Sequence, residues 1–274
     1  METAARRLSR HTRAGLGGLL RPRRRWQSFV CPHLLDLVAM NLSLTLQAIA
    51  QRMPDRPAVS WEEGALGYGA FEDQVQRIAG ALQQRHALRP GARVALAMEN
   101  CAELLPALYG IWRAGLAAVP LNSKLHAREM AWILADSETR LCLASAKLAE
   151  GLSAPAVSSA ALPPILAIGT ADYRALLAGG AAGPPPADPQ GEAWLFYTSG
   201  TTGRPKGAVL THRNLLFSCH CYYADIDQIG PEDTILHAAP LTHGSGLYGL
   251  AHICLLYTSP SPRDISGSRM PSSA

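Results

Sequence analysis

The chain has 274 residues, 48% hydrophobic and 17% charged, enough for one large globular domain or two ordinary ones. Its formal charge of +4 is concentrated at the amino end, where residues 1–39 hold eight arginines against Glu2 and Asp36. The other 235 residues carry a net −2, so the body of the protein offers no electrostatic reason for a nucleic-acid or anionic-membrane partner.

Residues 1–41 read as a basic, disordered extension, with Arg23-Arg24-Arg25 beside Trp26. Arginine-rich, acid-poor composition is also that of a mitochondrial transit peptide. A disordered tail, or a start placed upstream of Met40, ranks ahead of targeting, so the expected location is cytoplasmic, or mitochondrial if the transit peptide is genuine. Cysteines at 31, 101, 142, 219, 221 and 254 form no CxxC pair and no metal-type spacing with histidine, which suits reduced, mostly buried thiols. No run of about 18 apolar residues points to a transmembrane helix.

From about Leu44 onward helix and strand patterns alternate. Phe71, Val75, Ile78, Ala79 and Leu82 fall on one face of a helix over about 70–86, ended by Arg89-Pro90-Gly91. Val94 to Met98 is a short apolar strand; Leu104, Leu105, Leu108, Ile111 and Trp112 mark the next helix, closed by Gly115, and Ala117 to Pro120 the next strand. A helix over 127–136 carries Met130, Ile133 and Leu134 and leads into a strand at 140–144. Such alternation predicts an α/β protein whose crossover units build mostly parallel sheets covered by helices. Glycines and prolines over about 179–191 then read as a linker.

The linker delivers the chain to Tyr197-Thr198-Ser199-Gly200-Thr201-Thr202-Gly203-Arg204-Pro205-Lys206-Gly207. Glycines let backbone N–H groups approach an anion, Ser199, Thr201 and Thr202 add hydroxyl donors, and Lys206 adds a point charge suited to phosphate oxygens. A P-loop needs glycine before the lysine, a hydroxyl residue after it and a following helix. Here Pro205 and Gly207 hold those places, and both Ala193 to Tyr197 and Ala208 to Leu210 read as strands, so the loop joins two strands. Tyr222 and Tyr223 follow in a helical stretch, where adjacent side chains diverge, so at most one of them could line a pocket and core packing suits either better.

Read whole, YTSGTTGRPKGA followed by Val209-Leu210-Thr211-His212 resembles the signature of the adenylate-forming (AMP-binding) superfamily, in particular its acyl-CoA synthetase and fatty-acid–CoA ligase branch. Pro240-Leu241-Thr242-His243-Gly244-Ser245-Gly246-Leu247 resembles the family's next block, and Glu99-Asn100-Cys101 and Val119-Pro120-Leu121-Asn122 its early sheet. The resemblance covers about residues 42–253, expected to be part of the family's N-terminal domain and incomplete at its C-terminal side.

The resemblance implies a ligase that uses ATP and Mg2+ to convert a carboxylic acid into an acyl-adenylate and then passes the acyl group to coenzyme A. A carrier-protein thiol is the alternative acceptor, and a non-catalytic truncated product the alternative of another class. Thr198, Ser199, Gly200, Thr201, Thr202, Gly203 and Lys206 become nucleotide-binding residues, Thr202 and Lys206 the catalytic ones, and His243 with Gly244 the acid-substrate site; no residue is assigned to a metal. The family's later blocks for adenine, ribose and magnesium are not found, so the chain is expected to be a fragment, inactive alone. Residues 254–274 hold six serines and three prolines and read as disordered or artefactual, since CLLYTSPSPRD resembles a translated sequencing adapter.

Overall fold

Alternation along the inner strands divides the protein into two cores. In β3 (Arg93–Ala97), Val94 and Leu96 enter one core while Ala95 and Ala97 enter the other, because successive strand residues face opposite sides of a sheet. The same split separates Leu141 and Leu143 from Cys142 and Ala144 in β5 (Leu141–Ala144). The computed structural model describes residues 41–254 apart from 156, 158–161, 187, 199–203, 228 and 230–232.

Six strands form the main sheet: β3, β4 (Ala117–Pro120), β5, β6 (Ile165–Ala167), β7 (Glu192–Thr198) and β8 (Lys206–Thr211). Their order is β6-β5-β3-β4-β7-β8; every neighbouring pair is parallel except β7 and β8, which are antiparallel. A separate antiparallel ribbon joins β1 (Pro57–Trp61) to β2 (Gly64–Gly67). The parallel, helix-covered sheet agrees with the sequence reading.

Helices α1 (Ser43–Arg52), α2 (Tyr68–Gln84), α3 (Leu104–Arg113), α6 (Ala171–Leu177), α7 (His212–Cys221) and α8 (Gly244–Cys254) contribute to the larger core; α4 (Ala127–Asp136) and α5 (Ala146–Ser153) contribute to the smaller one. The chain moves one way across the sheet through α3 and α6 and the other way through α4 and α5, as crossovers of a single hand require. On α2 the stripe Phe71, Val75, Ile78 and Leu82 is fully buried. Burial of each such side chain contributes roughly 1.5–3 kcal/mol.

The larger core anchors β7. The rings of Phe71, Tyr109, Trp112 and Trp194 follow one another with centroids 5.4, 5.0 and 6.4 Å apart, and Trp112 Nε1 donates to the Ala193 carbonyl at 2.7 Å. His212, 6.1 Å from the Trp112 ring, accepts the Leu42 N–H at Nδ1 and is held near pKa 4 by burial. It is therefore a neutral, structural histidine that joins α1 to α7. Arg113 is 1% exposed and reaches Glu72 at 2.5 Å while bonding both the hydroxyl and the carbonyl of Ser43.

Two segments show contacts that the sequence reading did not include. The glycine-rich stretch after α6 lies against α2: a Cβ on Gly80 would fall 1.9 Å from the Gly180 carbonyl, and Gln84 donates to the Ala181 carbonyl at 3.4 Å. Composition marks it as a spacer, but the small residues also let its backbone pack onto a helix. Residues Tyr222–Ile226 form a π-helical turn, which brings both tyrosines onto α8. The Tyr222 ring lies 5.6 Å from Tyr248 and 5.5 Å from His252, and the Tyr223 hydroxyl donates to the Ala251 carbonyl. Core packing is what both rings do. Cys142 and Cys219 are buried and Cys101 and Cys221 half-buried, all as free thiols.

Candidate active site

At the carboxyl ends of parallel strands each βα connection turns away from the sheet and leaves room for a ligand. A cavity of about 390 Å³ occupies that position here, bounded by Pro120 at the end of β4 with Leu121 and Asn122 after it, by Tyr197 and Thr198 at the end of β7, and by Thr242 and His243. Pro205, Leu125, Glu129 and Ile133 complete it. Its wall mixes an apolar surface with a few polar groups, the usual constitution of a small-molecule site.

Each wall is fixed from behind. The Tyr197 hydroxyl donates to Asp136 at 2.7 Å and its ring meets Trp132 edge-on, so burial, together with that carboxylate, pushes the phenol well above its ordinary pKa. α4 starts with a reciprocal cap in which His126 Nδ1 accepts the Arg128 N–H and Glu129 returns to the His126 N–H. Asn100, just beyond β3, donates to the carbonyls of His237 and Ala239 at 3.1 and 3.0 Å and accepts the Leu241 N–H at 2.8 Å. That one side chain holds the turn bearing Thr242 and His243 against the end of the sheet.

The turn itself is tight. The His243 N–H bonds the Pro240 carbonyl, the Gly246 N–H bonds the His243 carbonyl, and a Cβ on Gly246 would fall 1.9 Å from the Leu241 oxygen. The His243 ring packs on Phe196 with centroids 4.8 Å apart, and its residue is exposed. Beyond the turn, His237 shares a 2.8 Å hydrogen bond with Ser245 and is held near pKa 4 by burial and by His252.

Of the residues singled out in the sequence, Thr198 and His243 share this cavity. Thr198 pairs in register with Lys206, which opens β8 with an exposed side chain. The loop they bracket therefore joins two antiparallel strands, with Thr198 and Pro205 at its ends facing the cavity. Ser199, Gly200, Thr201, Thr202 and Gly203 lie outside the described residues. Gly244 begins α8 and does not line the cavity. Asn100, Asn122 and Thr242 carried no assigned role in the sequence, although position alone, at the carboxyl end of a parallel strand, singles out the first two.

A larger depression of about 760 Å³ sits at the amino ends of the strands, lined by Arg89, Gly91, Arg93, Arg140, Gly191 and Glu192 among others. Arg93 is already paired with Glu192 at 3.0 Å there. Among the described residues no group of three or more His, Cys, Asp or Glu could hold a metal ion, and no helix is long and apolar enough to cross a membrane.

The fold and the cavity define a doubly wound α/β protein with a cavity at the carboxyl edge of its sheet. Residues 46–257 match the family model described as AMP-binding enzyme, and the chain belongs to that family. It is 34% identical over 201 residues to feruloyl-CoA synthase of an Amycolatopsis species, covering 72% of this chain and 38% of that protein. It is 33% identical over 163 residues to surfactin synthase subunit 3 of Bacillus subtilis strain 168, covering 59% of this chain and 12% of the other. Among solved structures, the inhibitor-bound N-terminal domain of FACL13 from Mycobacterium tuberculosis superposes with a TM-score of 0.72 at 26% identity, covering 81% of this chain and 57% of that one. The chain thus spans less than half the length of these curated relatives.

Proposed function

We propose that this chain carries the acid-activating part of an ATP-dependent acyl-CoA ligase. In this reading the β7–β8 loop, through Ser199, Gly200, Thr201, Thr202, Gly203 and Lys206, cradles the phosphates of ATP, and His243 lies beside the carboxylate of an organic acid. The acid oxygen attacks the α-phosphorus and the bond to pyrophosphate breaks; the thiol of coenzyme A then attacks the carbonyl of the acyl-adenylate, the bond to AMP breaks, and the acyl thioester is left. Neither step needs a protein nucleophile; the protein positions the reactants and stabilises charge moving onto pyrophosphate, a task suited to backbone N–H groups, hydroxyls and one lysine. Mg2+ would be carried by the nucleotide phosphates rather than by a cage of side chains.

The observation that carries this reading is that both ends of the loop, Thr198 and Pro205, face the same cavity as His243. Similarity to feruloyl-CoA synthase favours coenzyme A as acceptor, while similarity to surfactin synthase keeps a carrier-protein thiol as the second reading. Location follows the cytoplasmic reading, with mitochondria the alternative.

Lys206→Ala and Thr202→Ala, tested in a protein of full family length that carries this segment, should lower ATP-dependent adenylate formation about a hundredfold, the scale of losing one transition-state donor. Consumption of preformed acyl-adenylate should be nearly unchanged, since only the first step develops charge on pyrophosphate. Equal losses in both half-reactions would count against the assignment. The 274 residues alone are expected to give no ATP–pyrophosphate exchange with fatty or aromatic acids.

A further inference from the structure

We propose that the Thr242 hydroxyl is an anion-recognition group of the cavity, donating its proton in a hydrogen bond to an ionised oxygen of the bound ligand; this rests on reading the cavity as the acid-activation site. Thr242 is 4% exposed, it lines the cavity, and its Oγ1 has no hydrogen-bond partner. Such a group is costly to bury, and natural proteins keep few of them without a use.

Thr242 is the exception among its kind. The other buried serines and threonines of the described residues are all satisfied: Ser43 by Arg113, Thr45 by the Leu42 carbonyl, and Ser137 and Thr139 by each other. The position is also held rigidly. Asn100 binds the preceding Leu241 N–H at 2.8 Å, and the following His243 N–H bonds Pro240 at 3.1 Å. A hydroxyl fixed in this way contributes one donor, and that donor bonds an ionised acceptor more strongly than a neutral one.

The neighbours determine where the anion can sit. Thr198 offers a second hydroxyl residue in the wall and His243 an imidazole, whereas Glu129 is committed through Oε2 to the His126 N–H at 3.0 Å. An ionised oxygen is thus favoured beside the hydroxyls of Thr242 and Thr198 rather than beside the Glu129 carboxylate. Two ligands present such an oxygen: the carboxylate of an organic acid and a phosphate of ATP.

Calorimetric titration of the 274-residue chain, with octanoate and benzoate in one arm and Mg·ATP in the other, tests the proposal on the wild type, Thr242→Val and Thr242→Ser. Thr242→Val should weaken one arm about ten- to hundredfold, the worth of a hydrogen bond to a charged group, and Thr242→Ser should restore it. Loss in the acid arm assigns the hydroxyl to a carboxylate, and loss in the ATP arm to a phosphate. The melting temperature of Thr242→Val should stay level or rise, because an isosteric methyl replaces an unsatisfied hydroxyl. A lower melting temperature would reveal a structural partner and overturn the proposal. Unchanged binding of both probes would overturn it while leaving the proposed function standing; failure of the wild type to bind either probe would remove both.

Discussion

β3 and β8 belong to one sheet but live in different surroundings. Four of the five residues of β3 are buried between layers of helices, whereas Lys206 to Val209 of β8 are exposed and only Leu210 and Thr211 are half-buried. A strand covered on both faces is specified by packing and can be written in apolar residues alone. The edge hairpin is held from one side, through β7 and the aromatic chain behind Trp194, and the outer edge of β8 has no neighbouring strand in the sheet among the described residues. Stability resides in the layer of α2, α3 and β3, and the candidate chemistry at the rim beyond β7.

This contrast can be broken most forcefully at Arg113. Arg113→Ala would leave the half-buried Glu72 without its ion-pair partner and free both Ser43 contacts, and denaturant unfolding should show a loss of about 3 kcal/mol, the lower end for a buried pair. A loss near zero would mean that the ion pair is dispensable to that layer.

Acid titration probes the packing behind that layer through His212, whose ring lies against Trp112 of α3. Its pKa is lowered to about 4 in the folded state, against 6.5 for the ordinary group, so the unfolded chain binds more protons between those values. Stability is therefore full above pH 6.5 and declines toward pH 4, by on the order of 3 kcal/mol from this residue if its full shift is realised. His212→Gln should flatten that part of the profile; an unchanged slope would show that other groups set it.

Gly246→Ala acts on the rim. Its Cβ would collide with the Leu241 carbonyl, so the turn must shift at a cost of roughly 1–3 kcal/mol, and the His243 ring resonances should move with it. Smallest of all is Lys206→Ala, an exposed change on the free edge that should alter stability by less than about 0.5 kcal/mol. A large destabilisation there would erase the distinction between a packed layer and a functional rim.

Sequence revealed the packed layer better than the rim, for a physical reason. The α2 stripe and the apolar runs of β3, β4 and β5 are local periodicities, and β4 emerged at its expected bounds while the others shifted by one or two residues. The strands bracketing the β7–β8 loop were legible as short apolar runs on either side of it. The short elements α5, β6 and α6 left no such mark in the sequence, and neither did the π-helical turn that swings Tyr222 and Tyr223 onto α8. Asn100 binds atoms 137, 139 and 141 positions away, and no spacing rule anticipates such a bridge. Thr242 was invisible as well, since an unsatisfied hydroxyl is defined only by what surrounds it.

The central claim is that a nucleotide meets the protein at the carboxyl rim of the sheet. Titration of Mg·ATP into the isotope-labelled chain, followed by backbone amide resonances, tests it most directly. Shifts are expected at Thr198, Lys206 and His243, and should be lost in Lys206→Ala. Shifts confined to Gly91, Arg140 and Gly191, around the depression at the opposite end of the strands, would contradict it.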